Sequence, residues 1–213
     1  MSKNAPFKNI AVIGAGTMGS GIAGQIANSE QEVLLLDIPG KTPNSITEDA
    51  VKKLIRSDPP ALMHKNKANL IKVGNIRDDF NKLANCDLII EAVVERLDIK
   101  KDLYNRINNI VNSKCVITSN TSTIPIKLLV EDMPQSFRER FAITHYFNPV
   151  RFMRLLELVR GEHTKSEIIK KLADYNDRIL GKGVVACNDT PGFLGNRVGV
   201  YALQVGMDEA YKL

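Results

Sequence analysis

The chain has 213 residues, 44% of them hydrophobic and 25% charged, which suits one full domain, or one domain and part of a second, around an apolar core. Its net charge of +5 is spread along the chain without an aromatic RNA-binding signature or zinc-finger spacing, so nucleic acid is not an expected partner. No apolar run approaches the roughly 20 residues that cross a bilayer, and the opening MSKNAPFKN lacks the apolar stretch of a secretory signal, so neither membrane insertion nor export is expected.

Residues 9–13 (NIAVI) form a short apolar run that stops at glycines, as a buried parallel strand does. Residues 17–28 read as a helix with small side chains where it must lie close to a strand. Residues 32–36 (EVLLL) read as a second buried strand with Asp37 at its end, which completes one βαβ unit. Residues 40–78 are harder to read. Thr and Ser offer capping candidates there, and the helical stretch that follows must break at Asp58-Pro59-Pro60. The same stretch carries Lys52, Lys53, Arg56, Lys65, Lys67 and Lys72. Further on, 87–90, 115–119, 141–145, 155–159 and 183–187 read as strands, with helices over 99–111 and 168–180. Strands alternating with helices predict an α/β fold with a doubly wound, mostly parallel sheet. After Asp189-Thr190-Pro191-Gly192 the chain reads as helix to Leu213, where it stops without Gly, Pro or an evident cap. Cys86, Cys115 and Cys187 are scattered without metal-ligand spacing, which fits reduced thiols in a cytoplasmic protein and no metal site.

Gly14-Ala15-Gly16-Thr17-Met18-Gly19 fits the pattern G-x-G-x-x-G, and its context gives the pattern weight: an apolar strand before, a helix after, Asp37 closing the next strand. Gly14 would permit the tight turn, Gly16 would let the backbone approach a pyrophosphate, and Gly19 would let the helix lie on the strand. Free N–H groups at the helix start would take the phosphate charge. Asp37 would accept from ribose hydroxyls and repel a 2′-phosphate, which favours NAD over NADP. A glycine turn beside a surface Asp is the plain alternative. Glu157 is unusual on its own terms, a lone carboxylate in an otherwise apolar strand. If buried, it needs a cationic or donor partner.

The motifs GAGTMGSGIA, CDLIIEAVVERLDIKK, SNTSTI, THYFNPV, LLELVRG and DTPGFLGNR follow one another from Ile10 into the final helix. Together they resemble the 3-hydroxyacyl-CoA dehydrogenase family, including the dehydrogenase part of multifunctional fatty-acid oxidation proteins. The resemblance implies NAD-dependent oxidation of an L-3-hydroxyacyl-CoA to a 3-ketoacyl-CoA in fatty-acid β-oxidation. It implies that His145 is the general base, a role that suits an imidazole titrating near neutral pH. Glu157 would pair with it, orienting the ring and stabilising the imidazolium. Ser122 matches the serine at the substrate hydroxyl, and Asn196 the asparagine near the histidine and the substrate carbonyl. A hydroxyl and an amide hold alcohol and ketone without competing for the proton. Ser122 also suits a helix N-cap before Ile124-Pro125. Glu95, Lys100 and Asn148 match positions lining the nicotinamide and ribose region, and Thr17, Met18 and Asn120 complete the expected cofactor set. The basic residues from Lys52 to Lys72 fall where the family places a helical hairpin that grips CoA. Asp58-Pro59-Pro60 breaks that hairpin pattern, so no CoA residue is named.

The same resemblance implies a division into a Rossmann-like NAD-binding domain over 1–190 and, over 191–213, the first helix of a truncated helical domain. That domain would close the cleft in cis and carry a homodimer contact, so the chain alone should bind NAD and turn over poorly. Two other readings stand beside this one. Another NAD-linked β-hydroxyacid dehydrogenase would usually rely on a catalytic lysine, against which the His145/Glu157 pair argues. A non-catalytic NAD-binding relative would need none of Ser122, His145, Glu157 and Asn196.

Overall fold

A computed structural model describes residues 5–212. The readings that rest on residues 1–4 and on Leu213, parts of the N-terminal signal argument and the uncapped chain end, lie outside the described residues. Among the described residues, eight strands form one sheet: β1 (Ile10–Ile13), β2 (Val33–Asp37), β3 (Ile71–Asn75), β4 (Leu88–Glu91), β5 (Val116–Ser119), β6 (Phe141–Tyr146), β7 (Leu155–Arg160) and β8 (Gly183–Cys187). Their order is β3-β2-β1-β4-β5-β6-β7-β8, and every neighbouring pair is parallel except β6 with β7. The winding reverses between β1 and β4, where an open α/β sheet leaves a crevice at the carboxyl ends of its strands. The expected doubly wound, mostly parallel α/β sheet is the observed one.

The helices are α1 (Thr17–Asn28), α2 (Ser45–Arg56), α3 (Leu97–Asn108), α4 (Ile126–Val130), α5 (Gln135–Arg138), α6 (Ser166–Asp174) and α7 (Gly195–Ala210). Strand β1 shows why the sheet must be covered on both faces. Its side chains alternate: Ile10 and Val12 join an apolar cluster with Ile22 and Ile26 of α1, whereas Ala11 and Ile13 join another with Leu103 and Tyr104 of α3. Each such fully buried aliphatic side chain contributes about 1.5–3 kcal/mol. A strand apolar on both faces is stable only in the middle of such a sandwich.

The hard-to-read stretch contains a strand that the sequence reading missed. Strand β3 carries exposed Lys72 and ends in Gly74-Asn75, so it lacks the unbroken apolar run of the central strands, and it lies at the sheet edge. Helix α2 stops at Arg56, before the Asp58-Pro59-Pro60 break, as expected. Its caps differ from expectation. Asn44 precedes the helix without a side-chain cap, while Ser45 Oγ donates to Thr42 O and Thr47 Oγ1 donates to Asn44 O and Gly74 O. These hydroxyls close a turn and tie the helix to β3. The helix read over 99–111 starts earlier, at Leu97, and ends at Asn108. The helix read over 168–180 is α6 followed by a π turn, Tyr175–Ile179, which brings both Tyr175 and Asn176 inward. There Tyr175 donates to Gln31 Oε1 at 2.9 Å and Tyr146 donates to Asn176 Oδ1 at 2.6 Å. Among the described residues no helix is long and apolar enough to cross a membrane, and no group of three or more His, Cys, Asp or Glu is placed to hold a metal ion.

The loop joining β6 to β7 is held from beneath by Lys182, which is 2% exposed and donates from Nζ to Val150 O and, at 3.0 Å, to Met153 O. Both partners are neutral carbonyls, and burial lowers the ammonium pKa to about 8. In the unfolded chain this lysine titrates near 10.4. The folded value is the lower one, so keeping the charge inside costs stability below pH 8, and the cost fades as pH rises from 8 toward 10. Unfolding titrations of the wild type against Lys182→Met should therefore show the wild type gaining about 2 kcal/mol, relative to the variant, between pH 7 and pH 10. A difference that stays flat across that range would show that burial does not lower the pKa of this lysine.

Candidate active site

The glycine turn lies at the carboxyl end of β1. Gly14 has φ +102°, and a Cβ there would stand 2.4 Å from Ala92 O. A Cβ on Gly19 would come within 1.7 Å of Gly14 O, so the start of α1 rests directly on the turn. Gly16 is different: the space where its Cβ would stand has nothing within 4 Å. The first turn of α1 begins with no side-chain cap, which leaves its N–H groups pointing into that open space. Asp37, the last residue of β2, accepts from Ala15 N at 2.5 Å and from Ile38 N at 2.6 Å. These bonds tie the carboxylate to the turn. A cleft of about 690 Å³ opens here, lined among others by Gly16, Thr17, Asp37, Lys53, Asn148 and Arg151.

The second half of the site comes from the antiparallel pair. The β6–β7 register sets His145 opposite Glu157, so both side chains leave the same face of the sheet. His145 Nδ1 lies 2.6 Å from Glu157 Oε2, and the carboxylate is 0% exposed. The other oxygen, Oε1, accepts from Leu194 N at 3.0 Å and Gly195 N at 2.6 Å. With donors on Oε1, the carboxylate serves as acceptor throughout, which assigns the proton between it and the ring to Nδ1. Nε2 is then the free acceptor, and Ser122 Oγ stands 3.0 Å from it. The rings of Phe147 and Phe193 pack on the imidazole with centroids 4.5 and 5.7 Å away. Gly192 and Phe193 take positive φ, 72° and 44°, and this tight reversal aims the first N–H groups of α7 at Glu157.

Residues 9–190 match the family described as 3-hydroxyacyl-CoA dehydrogenase, NAD binding domain. This chain belongs to that family. A Rickettsia felis protein named for a fatty acid oxidation complex trifunctional enzyme is 46% identical over 202 residues, which is 93% of this chain and 28% of that protein. A Deinococcus radiodurans protein named for 3-hydroxyacyl-CoA dehydrogenase is 41% identical over 209 residues, or 97% of this chain and 60% of the relative. The crystal structure of FadB2 from M. tuberculosis superposes with a TM-score of 0.83 at 31% identity, covering 97% of this chain and 73% of the other. The chain therefore spans between about a quarter and two thirds of the length of these curated relatives.

NAD is the cofactor of this domain family, and the residues present fit it. The open cradle at Gly16, the uncapped start of α1 and the carboxylate of Asp37 supply room, donors and a hydroxyl acceptor in the expected sequence along the cleft. A smaller pocket of about 230 Å³, lined by Met18, Glu95, Lys100, Asn120, Ser122 and neighbours, continues from the glycine turn toward His145. In this 3-hydroxyacyl-CoA dehydrogenase domain Asn148 and Thr17 line the larger cleft. Asn120 Oδ1 accepts from Tyr146 N at 2.9 Å, so its amide is anchored to β6.

Several sequence-picked residues sit differently from their simple expectation. Ser122 is no helix cap: α4 starts at Ile126 behind Pro125. Lys100 is 1% exposed, with Nζ 2.6 Å from Glu91 and 3.3 Å from Glu95, so it reaches the small pocket as part of an ion cluster. Asn196 stands in the first turn of α7, beside the Gly195 N–H that binds Glu157, and makes no side-chain hydrogen bond to the dyad among the described contacts. Burial pushes the Glu95 carboxyl up, but the Thr121 hydroxyl, the Lys100 charge and the Thr123 hydroxyl outweigh it and hold it below the usual carboxylate range. Lys52, Lys67 and Lys72 pair with Asp49, Glu30 and Glu32 on the surface, and of the basic stretch only Lys53 lines the cleft. Three participants escaped the sequence reading: Glu91, and the backbone N–H groups of Leu194 and Gly195. Glu91 had a signal related to that of Glu157: a carboxylate closing an apolar strand, where Glu157 interrupts one. The two N–H groups had none beyond the glycine in GFLGNR.

Proposed function

We propose that this chain is the NAD-holding, base-carrying part of an enzyme that oxidises the 3-hydroxyl of an L-3-hydroxyacyl-CoA to a ketone, within fatty-acid β-oxidation. One observation carries the reading: the line from Ser122 Oγ to His145 Nε2 and from Nδ1 to Glu157, at 3.0 and 2.6 Å, beside a dinucleotide turn. His145 Nε2 takes the hydroxyl proton of the substrate, whose oxygen occupies the space next to Ser122 Oγ. NAD, when bound, accepts the hydrogen and electron pair that leave the carbinol carbon. As the ring becomes imidazolium, Glu157 faces it with a full negative charge, and the Leu194 and Gly195 N–H groups keep that carboxylate from turning away. Ser122 orients the hydroxyl. Asn196, one residue further into α7, is the amide assigned to the carbonyl product. The acyl-CoA class rests on the names of relatives, which are fatty-acid oxidation and hydroxyacyl-CoA proteins.

The reading includes a partner. Helix α7 buries none of its residues, and Val198, Tyr201 and Leu203 are 60%, 72% and 70% exposed. Such an apolar face supports a helical domain in cis that packs on it, closes the cleft and carries a homodimer contact. Closure excludes water, and a misplacement of about 1 Å at the reacting atoms costs about 10²-fold in rate. The 213 residues alone should accordingly bind NAD and turn over slowly. The test is spectrophotometric consumption of NADH with acetoacetyl-CoA and longer 3-ketoacyl-CoA substrates, run on this chain and on a version extended to the length of its relatives. Fast turnover in the extended form and slow turnover in the short one are expected. An extended protein that binds NADH and consumes none of it with any of these substrates would overturn the assignment.

A further inference from the structure

Glu91 ends β4, the strand next to the winding reversal, and is 0% exposed. Its two oxygens take four donors: Lys100 Nζ at 2.6 Å, Tyr104 OH at 2.6 Å, Ser119 Oγ at 2.7 Å and Val93 N at 2.8 Å. A buried ion pair of this kind seldom adds stability over apolar side chains of the same volume, because desolvating two charges offsets their attraction. A different use is written into its neighbours. Lys100 Nζ also lies 3.3 Å from Glu95 Oε2, and Glu95 is 41% exposed on the wall of the small pocket. Glu95 in turn accepts from the Thr121 hydroxyl, from Ser122 N at 3.2 Å and from the Thr123 hydroxyl at 3.1 Å.

The charges do not cancel. One ammonium serves two carboxylates, so the group carries one net negative charge, and no other ionisable side chain lines that pocket among the described residues. The pocket runs from Met18 of the glycine turn to Ser122, which touches the base. A ring that exchanges hydrogen with a substrate at His145, while its phosphates lie on α1, has to occupy this stretch. Oxidised nicotinamide is a cation and reduced nicotinamide is neutral.

We propose that Glu91, Lys100 and Glu95 act as one charge unit with a single net negative charge, and that this unit raises the site's affinity for the oxidised nicotinamide relative to the reduced one. Glu91 is then a positioning residue. It fixes Lys100, which fixes Glu95 at the pocket wall, and its buried charge is the one that Lys100 neutralises so that the Glu95 charge remains uncompensated. The inference rests on the NAD site assigned above.

The test is equilibrium binding of NAD and of NADH to the same chain, by calorimetry and by nicotinamide fluorescence, without substrate. Removing one unit charge beside a half-open pocket corresponds to about a fivefold change in the ratio of the two dissociation constants. Glu91→Gln should move that ratio about fivefold toward NADH, and Glu95→Gln should do the same, since either leaves Lys100 facing a single carboxylate and brings the unit to zero net charge. Tyr104→Phe deletes a hydrogen bond to Glu91 without changing charge and should leave the ratio where it is. A ratio unmoved by Glu91→Gln, or moved equally by Tyr104→Phe, overturns the proposal. Should Glu91→Gln fail to fold by circular dichroism, Glu95→Gln decides alone, and an unmoved ratio there overturns it. A wild-type chain that binds neither nucleotide refutes the NAD site itself, a separate failure.

Discussion

Replacing His145 with glutamine should lower turnover by about 10²- to 10⁴-fold and leave the dissociation constant for NAD nearly unchanged. Glutamine keeps a polar side chain of similar reach between Phe147 and Phe193, so the pocket wall survives. What it lacks is a basic ring nitrogen that can take the hydroxyl proton while Glu157, 2.6 Å away, faces the positive charge that forms on the ring. The dinucleotide turn is built on β1, β2 and α1, whereas His145 stands on β6. Replacing His145 therefore leaves the cofactor's cradle untouched. The measurement is kcat with acetoacetyl-CoA in the extended protein, paired with a binding isotherm for NAD. Full activity in the variant would remove His145 from the mechanism, and lost NAD binding would mean that the substitution had disturbed more than the base.

The second large effect is expected at the turn. Gly19→Ala adds one methyl group, and its carbon would fall 1.7 Å from Gly14 O, a backbone atom that no rotamer change can move. Either α1 lifts away from β1 or the turn deforms, and both displace the uncapped N–H groups that are expected to take the pyrophosphate. A stability loss of about 3 kcal/mol and a loss of NAD affinity of tenfold or more should follow. Gly199→Ala is the matching control. That glycine lies inside α7 with nothing within 4 Å of the added carbon, and alanine there should stabilise the helix by about 0.5–1 kcal/mol. Thermal unfolding of the pair separates backbone collision from the mere presence of a side chain. Equal melting temperatures for the two variants would mean that the helix does not rest on the turn.

The legible parts of this protein are those where a short segment must satisfy a strict local demand. Three glycines at one turn, an acid at the next strand end and apolar runs buried on both faces have few alternative explanations, and the doubly wound sheet follows from them. Glu157 betrayed its burial by interrupting such a run, and so announced that a partner must exist. The missed elements depend on distant neighbours. Strand β3 is recognisable only once β2 is beside it, because an edge strand tolerates Lys72 and Gly74. The role of Glu91 emerges from Lys100 nine residues later and Ser119 from another strand, and the donors that hold Glu157 are main-chain atoms with no signature of their own.

Helix α7 is unpacked along its length yet pinned at its first turn to the carboxylate behind His145. Mechanically it is a lever: a rigid rod of 16 residues with its short end inside the dyad. Tilting the rod about the Gly192–Phe193 reversal would move the two N–H groups from which Glu157 accepts. Whatever grips the long arm would thus reach the carboxylate beside His145 without touching the cleft.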